Sequence, residues 1–155
     1  MSLLKNLKEA ARTREMLDGL PINPTQISIE KTVSPTEGII SGKTVILAGT
    51  NNYLGLTFAP ECISAGIKAL ETEGTGTTGS RMANGTYTGH LKLESEISDL
   101  FGMSEAMVFS TGYSANLGTL AALLGQGNAT ALIDSEAHAS LYDGCRLSGA
   151  EIFRF

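Results

Sequence analysis

The sequence predicts an α/β fold with a mainly parallel sheet covered by helices, and three observations carry that prediction. The last third of the chain alternates strand-like and helical stretches: Ala106–Phe109, Ser114–Leu124, Thr130–Ile133, Ala139–Leu147 and Ala150–Phe155. A β-α-β-α-β order with short connections implies parallel strands joined by right-handed crossovers. The runs Ala106–Phe109 and Thr130–Ile133 are short and unbroken rather than alternating, as in strands buried on both faces. The final strand-like run, Ala150–Phe155, has nothing after it to cover its faces, so the chain is expected to be a piece of a longer protein.

Composition bounds the function. The 155 residues suffice for one domain with a core. Eleven Lys and Arg against 16 Asp and Glu give a net charge of −5 with no basic cluster, which argues against nucleic acid or an anionic membrane as the main partner. No apolar run approaches the length of a membrane span, and Met1–Lys8 lacks the apolar core of a signal peptide. Cys62 and Cys145 have no metal-ligand spacing and read as reduced thiols of a cytoplasmic protein; no metal site is expected.

Taken in order, Leu3, Leu4, Leu7, Ala10, Ala11 and Leu17 recur at near-helical spacing, and Gly19 and Pro21 stop the helix they predict. That helix could pack on its own domain or on a partner subunit. Ile27-Ser28-Ile29 alternates like a short strand, and Glu37–Ser41 and Lys43–Ala48 flank a hairpin signal at Ser41-Gly42-Lys43. Residues 1–48 are therefore expected to form an N-terminal arm of helix plus hairpin, and residues 49–155 the first, incomplete part of a large domain. Gly38 to Thr44 superficially resembles a P-loop, but the spacing is one residue short and Lys43-Thr44 leads into a strand-like run where a P-loop opens a helix.

Asn51-Asn52-Tyr53 lies in a polar, turn-rich loop; an Asn amide there could bind a polar group of a substrate or cap a turn. Pro60 opens a helical pattern of Ile63, Ile67 and Leu70 that Gly74 closes. Five glycines follow between residues 74 and 89. Gly74-x-Gly76-x-x-Gly79 matches the dinucleotide fingerprint in letters, yet it follows a helix and leads into a turn, the reverse of what that motif needs. A glycine-rich loop lining a site is the better expectation. Arg81, the only cation in that loop, could hold a carboxylate or phosphate or make a surface ion pair. Leu93, Ile97, Leu100 and Phe101 then mark one face of a helix over His90–Phe101 that ends at Gly102.

The chemistry concentrates at the two strand-to-helix junctions that follow. The run Ala106–Phe109 turns through Ser110-Thr111-Gly112 into a helix, which leaves backbone N–H groups free at the positive end of the helix dipole. Such a junction is a ready site for an anion, above all phosphate, although a plain turn with a hydroxyl cap has the same letters. Asp134–His138 ends the next strand in the same way. Ligands of parallel sheets sit at strand carboxyl ends, so one crevice could hold both junctions. His138 is, on its own, either a helix cap or a ligand contact.

Ser110-Thr-Gly112-Tyr113-Ser-Ala-Asn116, Asp134-Ser-Glu-Ala-His138-Ala-Ser140, Gly49-Thr-Asn-Asn52-Tyr53-Leu-Gly55 and Gly79-Ser-Arg81-Met-Ala-Asn-Gly85-Thr86 stand together in an order and at spacings that resemble the α-oxoamine synthases. These are pyridoxal-phosphate enzymes of fold type I that join an amino acid to an acyl-CoA with loss of carbon dioxide. Ser34–Glu37 and Gly79–Thr86 are most similar to the bacterial serine palmitoyltransferase branch of that family; other branches are the 8-amino-7-oxononanoate, 2-amino-3-ketobutyrate and 5-aminolevulinate enzymes.

The resemblance implies roles for particular residues. Gly112 and Tyr113 would donate backbone N–H groups to the cofactor phosphate, and His138 would stack on the pyridine ring and touch the substrate carboxylate. Asn52 would lie on the substrate side. Ser140, Asp143 and Arg146 are given no chemistry, and neither is His90. The resemblance also implies pyridoxal 5'-phosphate as cofactor, an amino acid (serine) and a long-chain acyl-CoA as substrates, and a homodimer. The family's cofactor-anchoring lysine has no counterpart among Lys5, Lys8, Lys31, Lys43, Lys68 and Lys92, so these residues alone are expected to be inactive. The rival classes are a nucleotide-binding α/β module and a non-catalytic regulatory fragment.

Overall fold

A computed structural model describes residues 3–125 and 128–155, apart from the side chains of Leu3 and Leu4. The chain forms two compact units, residues 1–76 and 77–155. Among the described residues no helix is long and apolar enough to cross a membrane.

The first unit holds α1 (Leu3–Asp18), a meander of β1 (Lys31–Ser34), β2 (Glu37–Ile40) and β3 (Lys43–Ile46), and α2 (Pro60–Glu73). The three strands pair antiparallel in the order β1-β2-β3. Between β2 and β3 only Ser41 and Gly42 turn the chain, both at positive φ (51° and 70°), so the hairpin falls where the sequence signal puts it. Gly38 sits buried at the centre of β2, where a Cβ would press on Leu47, Ile29 and the Lys31 carbonyl at 3.1–3.3 Å. Its place inside a paired strand excludes the P-loop. The first strand corrects the sequence expectation. Ile27-Ser28-Ile29 is not a strand; pairing begins at Lys31, after a single 3₁₀ turn at Pro24–Gln26. The Asn23 side chain caps that turn by accepting the Thr25 N–H, and the chain only afterwards aligns with β2. Pro60 at its first turn and Gly74 at φ 83° bound α2 as expected.

The second unit runs α3 (Thr88–Phe101), α4 (Gly112–Leu124), β4 (Thr130–Ile133), α5 (Ala139–Ser148) and β5 (Glu151–Arg154). Strands β4 and β5 pair parallel in register from Thr130 with Glu151 to Ile133 with Arg154, with α5 as the crossover between them. The core is Ile133, Tyr142 and Cys145, packed by Leu120 and Leu124 of α4, Ala131, Ala137 and Ile152. Gly144 lets α5 approach α4, since a Cβ there would lie 2.9 Å from the Leu120 Cβ and 3.1 Å from the Asn116 carbonyl.

Two expectations need correction here. Ala106–Phe109 belongs to no helix and to no sheet among the described residues. Its apolar run is suited to a buried strand, but a strand exists only where a second backbone supplies the ladder bonds. The helices α3 and α4 each begin two residues before their expected starts at His90 and Ser114: Thr111 caps α4 from ahead of the apolar pattern, and the His90 side chain reaches back to the Tyr87 N–H at the start of α3.

Candidate functional site

Within the run Ala106–Phe109, side chains engage the backbone of Val108 where a neighbouring strand was expected. Glu94, on α3, accepts the Val108 N–H at 2.9 Å, and Arg81 donates to the Val108 carbonyl at 3.3 Å. The two side chains clasp each other, with Arg81 Nη1 and Nη2 donating to Glu94 Oε1 and Oε2 at 2.5 and 3.1 Å. Donation from Arg81, then from Val108, holds the Glu94 carboxyl at about 2, below the ordinary carboxylate range, and the same bond raises Arg81. Arg81 also approaches Thr86 Oγ1 at 3.5 Å. A substrate anion would therefore have to compete with Glu94 for this guanidinium. In the same loop Gly85 approaches Gly79 so closely that a Cβ on Gly85 would overlap the Gly79 carbonyl. The fingerprint-like glycines thus follow α2 and lead into the turn at Arg81–Asn84, as the sequence predicts.

At the end of that run Thr111 caps α4: its extended backbone (φ −148°, ψ 155°) lets Oγ1 accept the Ser114 N–H at 3.0 Å. The cap serves the third residue of the helix. The amides of Gly112 and Tyr113, the first two, have no acceptor among the described residues. A Cβ built on Gly112 meets nothing within 4 Å, so there is open space at Gly112. Free N–H groups, helix dipole and room together fit a phosphate. The Tyr113 hydroxyl meanwhile donates to Asp143 on α5, which also pairs with Arg146 at 2.9 Å. Donation to Asp143 pushes the phenol up, and accepting from Tyr113 and then Arg146 pulls the Asp143 carboxyl down.

The second junction lies beside the first. Asp134, after β4, folds the chain back by accepting the Glu136 N–H at 2.8 Å on its side chain and the Tyr142 hydroxyl at 2.8 Å on its carbonyl. His138 then caps α5, its Nδ1 accepting the Ser140 N–H at 3.2 Å. Ser140 Oγ lies 2.7 Å from the same nitrogen and accepts from Asn116 Nδ2 of α4 at 2.9 Å. Two links, Tyr113 to Asp143 and Asn116 through Ser140 to His138, therefore tie the first two turns of α4 to the N-terminal half of α5. The second unit thus brings together Gly112, Tyr113 and His138.

His138 is a cap, as one of the two sequence alternatives had it. The alternatives are compatible, because Nδ1 does the capping and Nε2 makes no hydrogen bond among the described residues. His90, the third residue of α3, works in the opposite direction, its Nδ1 accepting the N–H of Tyr87 just ahead of the helix at 3.0 Å. Asn52 belongs to the first unit. Its Oδ1 accepts the Thr57 hydroxyl at 2.7 Å, closing the loop ahead of a 3₁₀ turn, and it lines an open hollow of about 670 Å³ with Tyr53, Leu54 and Phe58. Sequence reasoning missed Glu94, Asn116 and Ser140. A hydroxyl two residues after a helix-opening His was the signal for Ser140; the others contact their partners only through the fold.

Comparison with known proteins bears on the family and the fold. Residues 43–155 match the family Aminotransferase class I and II. The chain is 51% identical over 133 residues to the serine palmitoyltransferase of Caulobacter vibrioides, covering 86% of this chain and 33% of that protein. It is 45% identical over 103 residues to the 8-amino-7-oxononanoate synthase of Mycobacterium avium, covering 66% of this chain and 27% of that one. The solved serine palmitoyltransferase of Sphingomonas wittichii superposes with a TM-score of 0.90 at 46% identity, over 100% of this chain and 39% of the other. The residues thus span about a third of the length of the relatives they match. Their α/β fold is that of the N-terminal part of a fold type I enzyme. On a family match that takes in both junctions, the chain belongs to the aminotransferase class I and II family.

Proposed function

We propose that the protein binds pyridoxal 5'-phosphate and condenses serine with a long-chain acyl-CoA, releasing CoA and carbon dioxide and leaving a 3-keto amino product. The observation that carries this is the start of α4: two free amides and open space at Gly112, in a chain 51% identical to a serine palmitoyltransferase. Gly112 and Tyr113 would hold the phosphate. His138, one link away through Ser140 and Asn116, would lie against the ring and donate from Nε2 to the substrate carboxylate, orienting it. When bound, the cofactor supplies an electron sink for charge at the amino acid's α-carbon. Asn52 would meet the substrate's polar groups. Arg81, clasped by Glu94, would act on the site through Val108 and only by competition on a substrate anion. Residues 1–48 would serve as an assembly arm in a cytoplasmic homodimer.

The test uses full-length protein loaded with pyridoxal phosphate. CoA release is measured with palmitoyl-CoA and serine, alanine or glycine in turn. Serine is expected to give the fastest release. A preference for alanine or glycine would move the protein to a sibling branch, and no release with any amino acid would overturn the assignment.

A further inference from the structure

We propose that Ser140 and Asn116 are positioning residues that fix His138 with its ring proton on Nε2, so that this histidine meets the substrate as a hydrogen-bond donor. The proposal rests on the cofactor site proposed above and assigns roles to two residues outside it.

The direction of each hydrogen bond decides the matter. The Ser140 backbone N–H can only donate, and it points at Nδ1 from 3.2 Å. A ring nitrogen that accepts this proton cannot carry one of its own. The Ser140 hydroxyl, 2.7 Å from the same nitrogen, must then donate to it as well. That leaves the lone pairs of Oγ to accept, and Asn116 Nδ2 supplies the donor at 2.9 Å. The amide orientation of Asn116 follows from the chain, because the backbone donor at the other end has no second orientation. Ser140 is wholly buried at 0% exposure, so water cannot take over either bond. A neutral imidazole then has its single proton on Nε2, the nitrogen that no described residue engages.

The relay begins on α4. Asn116 lies four residues after Gly112, on the same face and one turn along from the proposed phosphate site. The helix that would anchor the phosphate therefore also orders the ring that would face the substrate.

The test reads the ring nitrogens directly. Full-length protein labelled with ¹⁵N and free of cofactor is examined by long-range proton–nitrogen correlation at about pH 8, above the ordinary imidazole range, with His138→Asn used to assign the signals. The expected spectrum has a pyridine-like Nδ1 and a pyrrole-like Nε2. In Asn116→Asp the new carboxylate can only accept, so the Ser140 hydroxyl turns to it; Nδ1 keeps the backbone donor alone, and its pyridine-like signal shifts downfield with the loss of one hydrogen bond. Ser140→Ala shifts it in the same direction while keeping the backbone cap. Both variants are expected to lower kcat about tenfold, as loss of a partner that orients a working histidine commonly does. A wild-type ring protonated on Nδ1 overturns the proposal. So do ring signals that neither variant changes, or a kcat that neither changes. Failure of the functional reading shows elsewhere, as a full-length protein that takes up no pyridoxal phosphate, because the ring spectrum is recorded without it.

Discussion

The two strand-to-helix junctions of the second unit solve the same problem in different ways. Each must satisfy N–H groups at a helix start. Thr111 bonds to the third residue of α4 and leaves the first two amides open. His138 bonds to the second residue of α5 with one ring nitrogen and keeps the other outside the cap. On the proposed function, the first junction would bind through what its cap leaves undone, and the second through the free end of its cap. They differ in support as well. β4 leads into the His138 junction from a parallel ladder with β5, whereas the run before Thr111 is held by Glu94 and Arg81 at a single residue, Val108.

The sharpest way to break the contrast is to fill the open amides. Gly112→Asp should fold normally, since a Cβ there meets nothing within 4 Å and an acid suits a helix start. Its carboxylate would occupy the amides and repel phosphate, weakening pyridoxal phosphate binding by about a hundredfold, some 2.7 kcal/mol. Equilibrium titration of the full-length variant checks it. Unchanged affinity would place the phosphate elsewhere.

Next in size is the spacing between the junctions. Gly144→Ala would put a Cβ 2.9 Å from Leu120 and push α5 off α4. Overpacking of this kind costs about 1–3 kcal/mol, and the variant should unfold at lower denaturant than wild type. If the two helices separate freely, the midpoint will not move.

Removing the first cap should do less. Thr111→Ala is expected to cost about 1 kcal/mol of stability, with Thr111→Ser recovering most of it. Unfolding curves of both variants would show whether the hydroxyl, rather than the backbone turn, sets the start of α4.

The smallest effect concerns the clasp, and it depends on pH. Glu94 is held at about 2 by Arg81 and Val108, below its unfolded value. A depressed carboxyl contributes stability above the unfolded value and loses it as pH falls toward the folded one. Wild type should therefore exceed Glu94→Gln in stability at neutral pH, and the gap should close between the ordinary carboxylate range and about pH 2. Unfolding midpoints recorded across that range measure the gap; one that is independent of pH would mean the pair contributes through shape alone.

Much of the fold was legible in the sequence where local chemistry decides it. Gly42, Gly74 and Gly102 end or turn their elements at positive φ as their positions suggest, and Pro60 opens α2. The parallel β4-α5-β5 unit followed from its pattern. What was not legible depended on partners distant in sequence. Ala106–Phe109 has the letters of a strand, but letters cannot supply the adjacent backbone. Arg81 and Glu94 lie 13 residues apart, and nothing in the pattern announces that both bind the backbone of Val108, 14 residues beyond Glu94. The choice between cap and ligand at His138 was posed too narrowly, because a ring with two nitrogens can serve both.

That double service is the central claim, and His138→Asn tests it most directly. Asparagine is a good helix cap, so the unfolding midpoint of the full-length protein should stay near wild type. It has no ring and no Nε2, so kcat for CoA release should fall about ten- to a hundredfold, equivalent to about 1.4–3 kcal/mol of lost positioning. His138→Phe run alongside should lower both. Stability retained with turnover lost is the predicted result. Turnover retained in His138→Asn, or turnover that merely follows the midpoint through both variants, would show that this histidine is a cap and nothing more.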